Sequence, residues 1–171
     1  MRSRTAPLAA ALAALALVPA VATAAPNREA PLATEGATYE WTSAVATGAV
    51  YTSDVAEKVP ACSPIFSCDA TLIKTEVPGD LKIGIKGVGL GGQDTMKDLD
   101  LHVYLSDEAG TPGESLAESV GATATESAFI EDAEPGYYLV YVDWYLGAGS
   151  FNGTAALLTP VIEEEIPEEE F

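Results

Sequence analysis

The residues with chemistry to offer gather in one short stretch, Asp98-Leu99-Asp100-Leu101-His102-Val103-Tyr104-Leu105. Two carboxylates, an imidazole and a phenol recur at every second position, which on an extended backbone sets them on one face. Asp98 and Asp100, at i and i+2, fall near the lower part of the about 5 to 9.5 Å separation that paired carboxylates use in glycoside hydrolysis. His102 is the only histidine of the chain. A hydrolytic triad needs such a base beside a nucleophile, and carboxylates beside it would raise its proton affinity. No flanking cleft of aromatic and polar residues is legible around either arrangement, so no catalytic residue is assigned and a hydrolase is the weakest reading. A second set is aromatic: Tyr104, Tyr137, Tyr141 and Tyr145. Rings with polar tips suit an extracellular polysaccharide or protein partner if they share a surface, and the same residues stabilise sheets by cross-strand pairing.

The elements that would position these groups are strands. Alternation puts Leu99, Leu101, Val103 and Leu105 on a buried face, opposite the polar set. In the aromatic run Tyr137–Leu146, Tyr138, Val140, Val142 and Trp144 are expected in the core, with Tyr137, Tyr141, Asp143 and Tyr145 on the exposed side. Leu81, Ile83 and Ile85 face inward and Lys82 and Lys86 outward. Thr71–Val77 leads through Pro78-Gly79-Asp80 into that strand, and the turn chemistry predicts a hairpin. Tyr39 and Trp41 open the first strand, with Trp41 in the core. Gly147-Ala148-Gly149-Ser150 reads as a tight loop before a closing strand, Phe151–Leu158. The glycines of 87–92 match neither a Walker loop nor a dinucleotide fingerprint, because the required lysine, spacing and following helix are absent. The fold class expected is all-β, a two-sheet antiparallel β-sandwich of jelly-roll type with seven to nine short strands. A small barrel is the nearest competitor.

The 171 residues divide into an expected signal peptide (1–24), an irregular or mobile arm (25–36), a β-sandwich domain (37–160) and an acidic disordered tail (161–171). Arg2 and Arg4, the Ala/Leu run to Val18 and the small residues Ala22 and Ala24 carry the export reading. Pro7 and Pro19 interrupt the apolar run, which argues against a transmembrane segment. Cleavage would remove two of the 8 basic residues and none of the 26 acidic ones, taking the formal charge from −18 to −20. Such a charge repels nucleic acid and anionic membranes. In an exported protein Cys62 and Cys68 are expected to close a short loop as a disulfide, stabilising the fold by roughly 2 kcal/mol.

Asp98-Leu99-Asp100-Leu101-His102-Val103-Tyr104, Ser119-Val120-Gly121, Pro135-Gly136-Tyr137-Tyr138-Leu139-Val140-Tyr141-Val142 and Gly149-Ser150-Phe151 together resemble the bacterial pre-peptidase C-terminal domain. The likeness covers roughly Ala70 to Leu158. That family is a jelly-roll-like β-sandwich appended to secreted proteases and other exported hydrolases; here no catalytic domain stands beside the module. Some members bind calcium near such strand starts. The resemblance therefore implies calcium at Asp98 and Asp100 with Asp94 as a third ligand, although calcium wants six to eight oxygens. A secreted, non-enzymatic module that binds an extracellular polymer or protein is the leading functional reading. A structural, envelope-associated domain without a specific ligand is the alternative.

Overall fold

The computed structural model describes residues 26–48 and 68–159. Its strands are β1 (Arg28–Leu32), β2 (Thr38–Thr42), β3 (Ala46–Gly48), β4 (Cys68–Thr75), β5 (Gly79–Gly89), β6 (Met96–Ser106), β7 (Pro112–Ser119), β8 (Thr125–Ala133) and β9 (Gly136–Leu158). A single 3-10 turn at Leu90–Gly92 is the only helical element among the described residues. No described helix is long and apolar enough to cross a membrane. The architecture is almost all-β, as expected, but the hydrogen bonding joins the nine strands into one large mixed sheet.

The reason is β9. Its first half is flanked by β4 on one side and β6 on the other, with β1 beyond β4 and β7 beyond β6. Its second half is flanked by β5 on one side and by β2 and β3 on the other, with β8 beyond β5. One strand thus belongs to two sets of neighbours. The inward side chains of both sets meet in one core, where Leu99, Leu101, Val103, Ile73, Leu81, Ile83, Val140, Val142, Phe151 and Leu157 are buried. Trp41 and Trp144 both pack against Phe151, at ring-centroid distances of 6.5 and 5.3 Å.

The hand-over falls at Gly147-Ala148-Gly149-Ser150, the stretch expected to be a loop. It is continuous strand. Gly147 and Gly149 adopt φ of 117° and 152°. A Cβ on Gly147 would lie 2.5 Å from the Thr95 carbonyl oxygen, and one on Gly149 2.2 Å from that of Val88. The glycines serve close backbone approach rather than chain reversal, a use that looks identical in sequence.

Other expectations are corrected by the pairing. The hairpin of β4 with β5 does not form, because both strands instead take places beside β9, in different halves of it. The expected arm contains β1, which pairs parallel to β4 and buries Ala30 and Leu32 completely. Its Pro31 costs little because β1 has only one strand neighbour among the described residues. At the start of β1 the Arg28 guanidinium makes a two-point ion pair with the buried Asp69 and donates to Thr71 Oγ1 at 2.7 Å. Leu105, at the end of β6, is 44% exposed rather than in the core.

The expected disulfide between Cys62 and Cys68 falls outside the described residues. Cys62 lies outside the described residues, as do 1–25, 49–67 and 160–171, and no pair of cysteines lies within them. Cys68 is half-buried as the first residue of β4.

Two measurements check this framework. Gly147→Ala should lower unfolding stability by about 2 kcal/mol or more, through strain and the clash with Thr95. Gly84→Ala, where a Cβ meets nothing within 4 Å, should change it by less than about 0.5 kcal/mol; equal effects would refute the close-approach role. Arg28→Gln should cost about 3 kcal/mol by leaving Asp69 buried without its partner, and urea midpoints unchanged from the parent would contradict the placement of β1.

Candidate functional site

The face of β4, β9, β6 and β7 that points away from the core carries nearly every residue singled out in the sequence. Opposed registers build it row by row. Asp100 stands opposite Asp143, which on its other side faces Cys68. His102 is next, between Glu118 on β7 and Tyr141 on β9, with Ala70 beyond. Tyr104 then faces Leu139, followed by Leu72, and Tyr137 lies opposite Ser106 and Lys74. Tyr145 lies two residues beyond Asp143 on the same strand. Tyr104, Tyr137 and Tyr141 therefore share a side of the sheet, whereas Tyr145 lies at the register irregularity between Asp143 and Leu146.

They do not share exposure. Tyr141 is 4% exposed, so it is not the open contact residue expected, and Leu139, Leu72 and Ala70 beside it are equally buried. Burial holds its hydroxyl well above the ordinary range, with Asp143 adding to the effect. Tyr104, Tyr137, Tyr145 and His102 are half-buried. The His102 ring lies 6.4 Å from Tyr104 at an interplanar angle of 22°, and 6.1 Å from Tyr141. Its nearest carboxylate is Glu118, with Nδ1 to Oε2 at 3.9 Å. The expected rise in proton affinity is reversed, because burial lowers the imidazole pKa more than Glu118 raises it. No serine or threonine hydroxyl hydrogen-bonds to His102 among the described residues.

The carboxylates divide into two groups. Irregularities in the β6 register on both sides of Asp98 turn it away from the wet side, leaving it 8% exposed with Oδ1 unpartnered. Burial raises its pKa, helped by Glu126 on β8. Glu126 is itself buried and accepts hydrogen bonds from Ser119 Oγ and, at 2.8 Å, from Thr123 Oγ1. Asp100 stays on the outer face, where burial and then Asp98, Asp143, Glu126 and Glu118 push it up to about 6. Asp143 is raised by burial. Neither Asp100 nor Asp143 has a cationic partner among the described residues.

Asp94 is not part of this group. It is exposed on the loop before β6 and pairs with Lys97 at 2.5 Å. Among the described residues no three His, Cys, Asp or Glu side chains are arranged to hold a metal ion. Of the expected calcium donors, Asp94 is taken up by Lys97, while Asp98 and Asp100 remain close enough for the charge of one to raise the pKa of the other. Sequence reasoning missed Asp143, Glu118 and Glu126 as members of the acidic set. Each is an ordinary alternating polar residue on its own strand, and only the register brings it to Asp100 or Asp98.

No protein-family model and no curated protein matches the chain. Among solved structures it is similar to the pre-peptidase C-terminal domain of collagenase from Bacillus anthracis, at 12% identity and a TM-score of 0.44. That match covers 76% of this chain and 96% of the other. It is also similar to PliG of Aeromonas hydrophila, a periplasmic inhibitor of g-type lysozyme, at 9% identity and a TM-score of 0.40, covering 76% and 97%. Both likenesses are distant and partial.

The site generates a pH prediction. A carboxyl whose folded pKa is raised favours the folded state when protonated. The contribution of Asp100 is therefore full below its unfolded value of 3.8 and is lost as pH rises to about 6. Asp100→Asn should stabilise the protein at pH 8 by about 1 kcal/mol, after discounting for solvent screening, and by much less at pH 4. A destabilising effect at pH 8, or a loss of stability seen only with millimolar calcium present, would show that Asp100 has a cationic partner.

Proposed function

We propose that the chain is an exported, non-catalytic β-module whose outer β4–β9–β6–β7 face binds an extracellular polymer carrying positive charge or hydrogen-bond donors. The observation that carries this reading is the face itself. Half-buried Tyr104, Tyr137, Tyr145 and His102 flank Asp100, Asp143 and Glu118, and neither aspartate meets a cation among the described residues. Rings with polar tips cover the apolar faces of sugars or side chains. Like charges opposed across a strand pair destabilise it, so a ligand that brings positive charge between Asp100 and Asp143 is favoured by relief of that repulsion.

The export signal at 1–24 supports an extracellular or envelope location. The Asp98-Leu99-Asp100 and Pro135-Gly136-Tyr137 motifs support membership of the pre-peptidase C-terminal kind. The passage of β9 between two sets of neighbours around one core supports a two-layer sandwich.

Binding to a positively charged amino-sugar polymer (chitosan), to its acetylated form and to uncharged cellulose tests the function. Retention on chitosan alone is expected, weakening with salt and falling roughly tenfold in Tyr104→Ala or Asp143→Asn. Equal, salt-independent retention on all three, or none on any, would overturn it; the latter would favour a structural envelope domain.

A further inference from the structure

The other outward face, on β2, β9, β5 and β8, has the opposite character. Its rows are Thr38, Ala156, Lys82 and Phe129; Glu40, Thr154, Gly84 and Ser127; and Thr42, Asn152, Lys86 and Thr125. Gly84 and Ala156 are half-buried and the rest are exposed. Lys82 and Lys86 bracket Gly84, where the surface is open, and at the ordinary rise of a strand they lie about 14 Å apart.

Charge makes this face unusual in an acidic chain. Of the five lysine and arginine side chains among the described residues, Arg28, Lys74 and Lys97 are ion-paired. Lys82 and Lys86 have no ion pair among those residues. The acidic groups near them are Glu40, two strands from Gly84, and Asp80, which accepts a hydrogen bond from the Asp132 N–H.

We propose that this face binds an extended glutamate-rich peptide, and that the occupant is the chain's own run Glu163-Glu164-Glu165-Ile166-Pro167-Glu168-Glu169-Glu170. Three observations select it. Leu158, the last residue of β9, pairs with Asp80, two residues from Lys82. Five further residues span up to about 17 Å, enough to bring Glu163 to Lys82. The two glutamate triplets are centred five residues apart, about 16 Å when extended, close to the lysine spacing. Ile166 and Pro167 between them match the open position at Gly84. Tethering makes the encounter intramolecular, so weak individual ion pairs act at high effective concentration.

Carbodiimide coupling of the chain, followed by peptide mass spectrometry of the monomer, tests this. Links from Lys82 to Glu163–Glu165 and from Lys86 to Glu168–Glu170 are expected. Replacing the six glutamates by glutamine should remove them and speed acylation of Lys82 and Lys86 roughly threefold to tenfold, the strength of two exposed ion pairs, leaving Lys97 unchanged. Raising salt on the unaltered chain should also speed it. Links found only between two copies, or lysine reactivity that ignores both the glutamine variant and salt, would overturn the proposal.

Discussion

At Gly147 and Gly149 the backbone of β9 comes so close to Thr95 and Val88 that neither position has room for a Cβ. The constraint is steric, and the fold follows from it. Because the strand does not reverse there, its first half completes a sheet region with β4 and β6 while its second half does the same with β5, β2 and β3. The apolar faces of both regions then meet over the same core, and every other strand finds its place by pairing with β9 or with a neighbour of β9. Strands distant in sequence are held together by one central element, a topology of non-local contacts that folds slowly for its size.

The same strand gives the molecule two outward faces of different chemistry. On the first half, alternation brings out Tyr137, Leu139, Tyr141, Asp143 and Tyr145, and the register adds Asp100, His102 and Tyr104 from β6. Tyr141, Leu139 and Leu72 are buried on this side of the sheet and give its carboxylates low-dielectric surroundings. In such surroundings carboxylates resist ionisation, and Asp100 reaches a pKa of about 6. On the second half the outward residues are mostly short, several of them hydroxylated, and Lys82 and Lys86 have no ion pair among the described residues. Opposite polarities on the two faces suit different contacts, and they explain why an average charge describes neither.

Much of this was legible in the sequence, and the rest fails for identifiable reasons. Strict alternation in Leu99, Leu101 and Val103, in Leu81, Ile83 and Ile85, and in Tyr138, Val140, Val142 and Trp144 reports a local property, and those residues are buried. Pairing is not local. The hairpin between β4 and β5 looked favourable because Pro78-Gly79-Asp80 is good turn chemistry, yet each strand gains a longer ladder beside β9. Asp98 followed the alternation but sits at a register irregularity, which no pattern of residue types announces. The Pro-bearing segment around β1 read as irregular because its two buried side chains, Ala30 and Leu32, are too few to show a period. For His102, carboxylate neighbours were visible in sequence but burial was not, and burial decides the direction of its shift.

The claim on which these points depend is that β9 is one structural unit across Gly147–Ser150. Amide hydrogen exchange resolved along residues 136–158 tests it most directly. Amides of both halves are expected to exchange with a common, near-global opening free energy and to respond together to denaturant. Fast exchange at Ala148 and Ser150, with the two halves opening at different free energies, would contradict it.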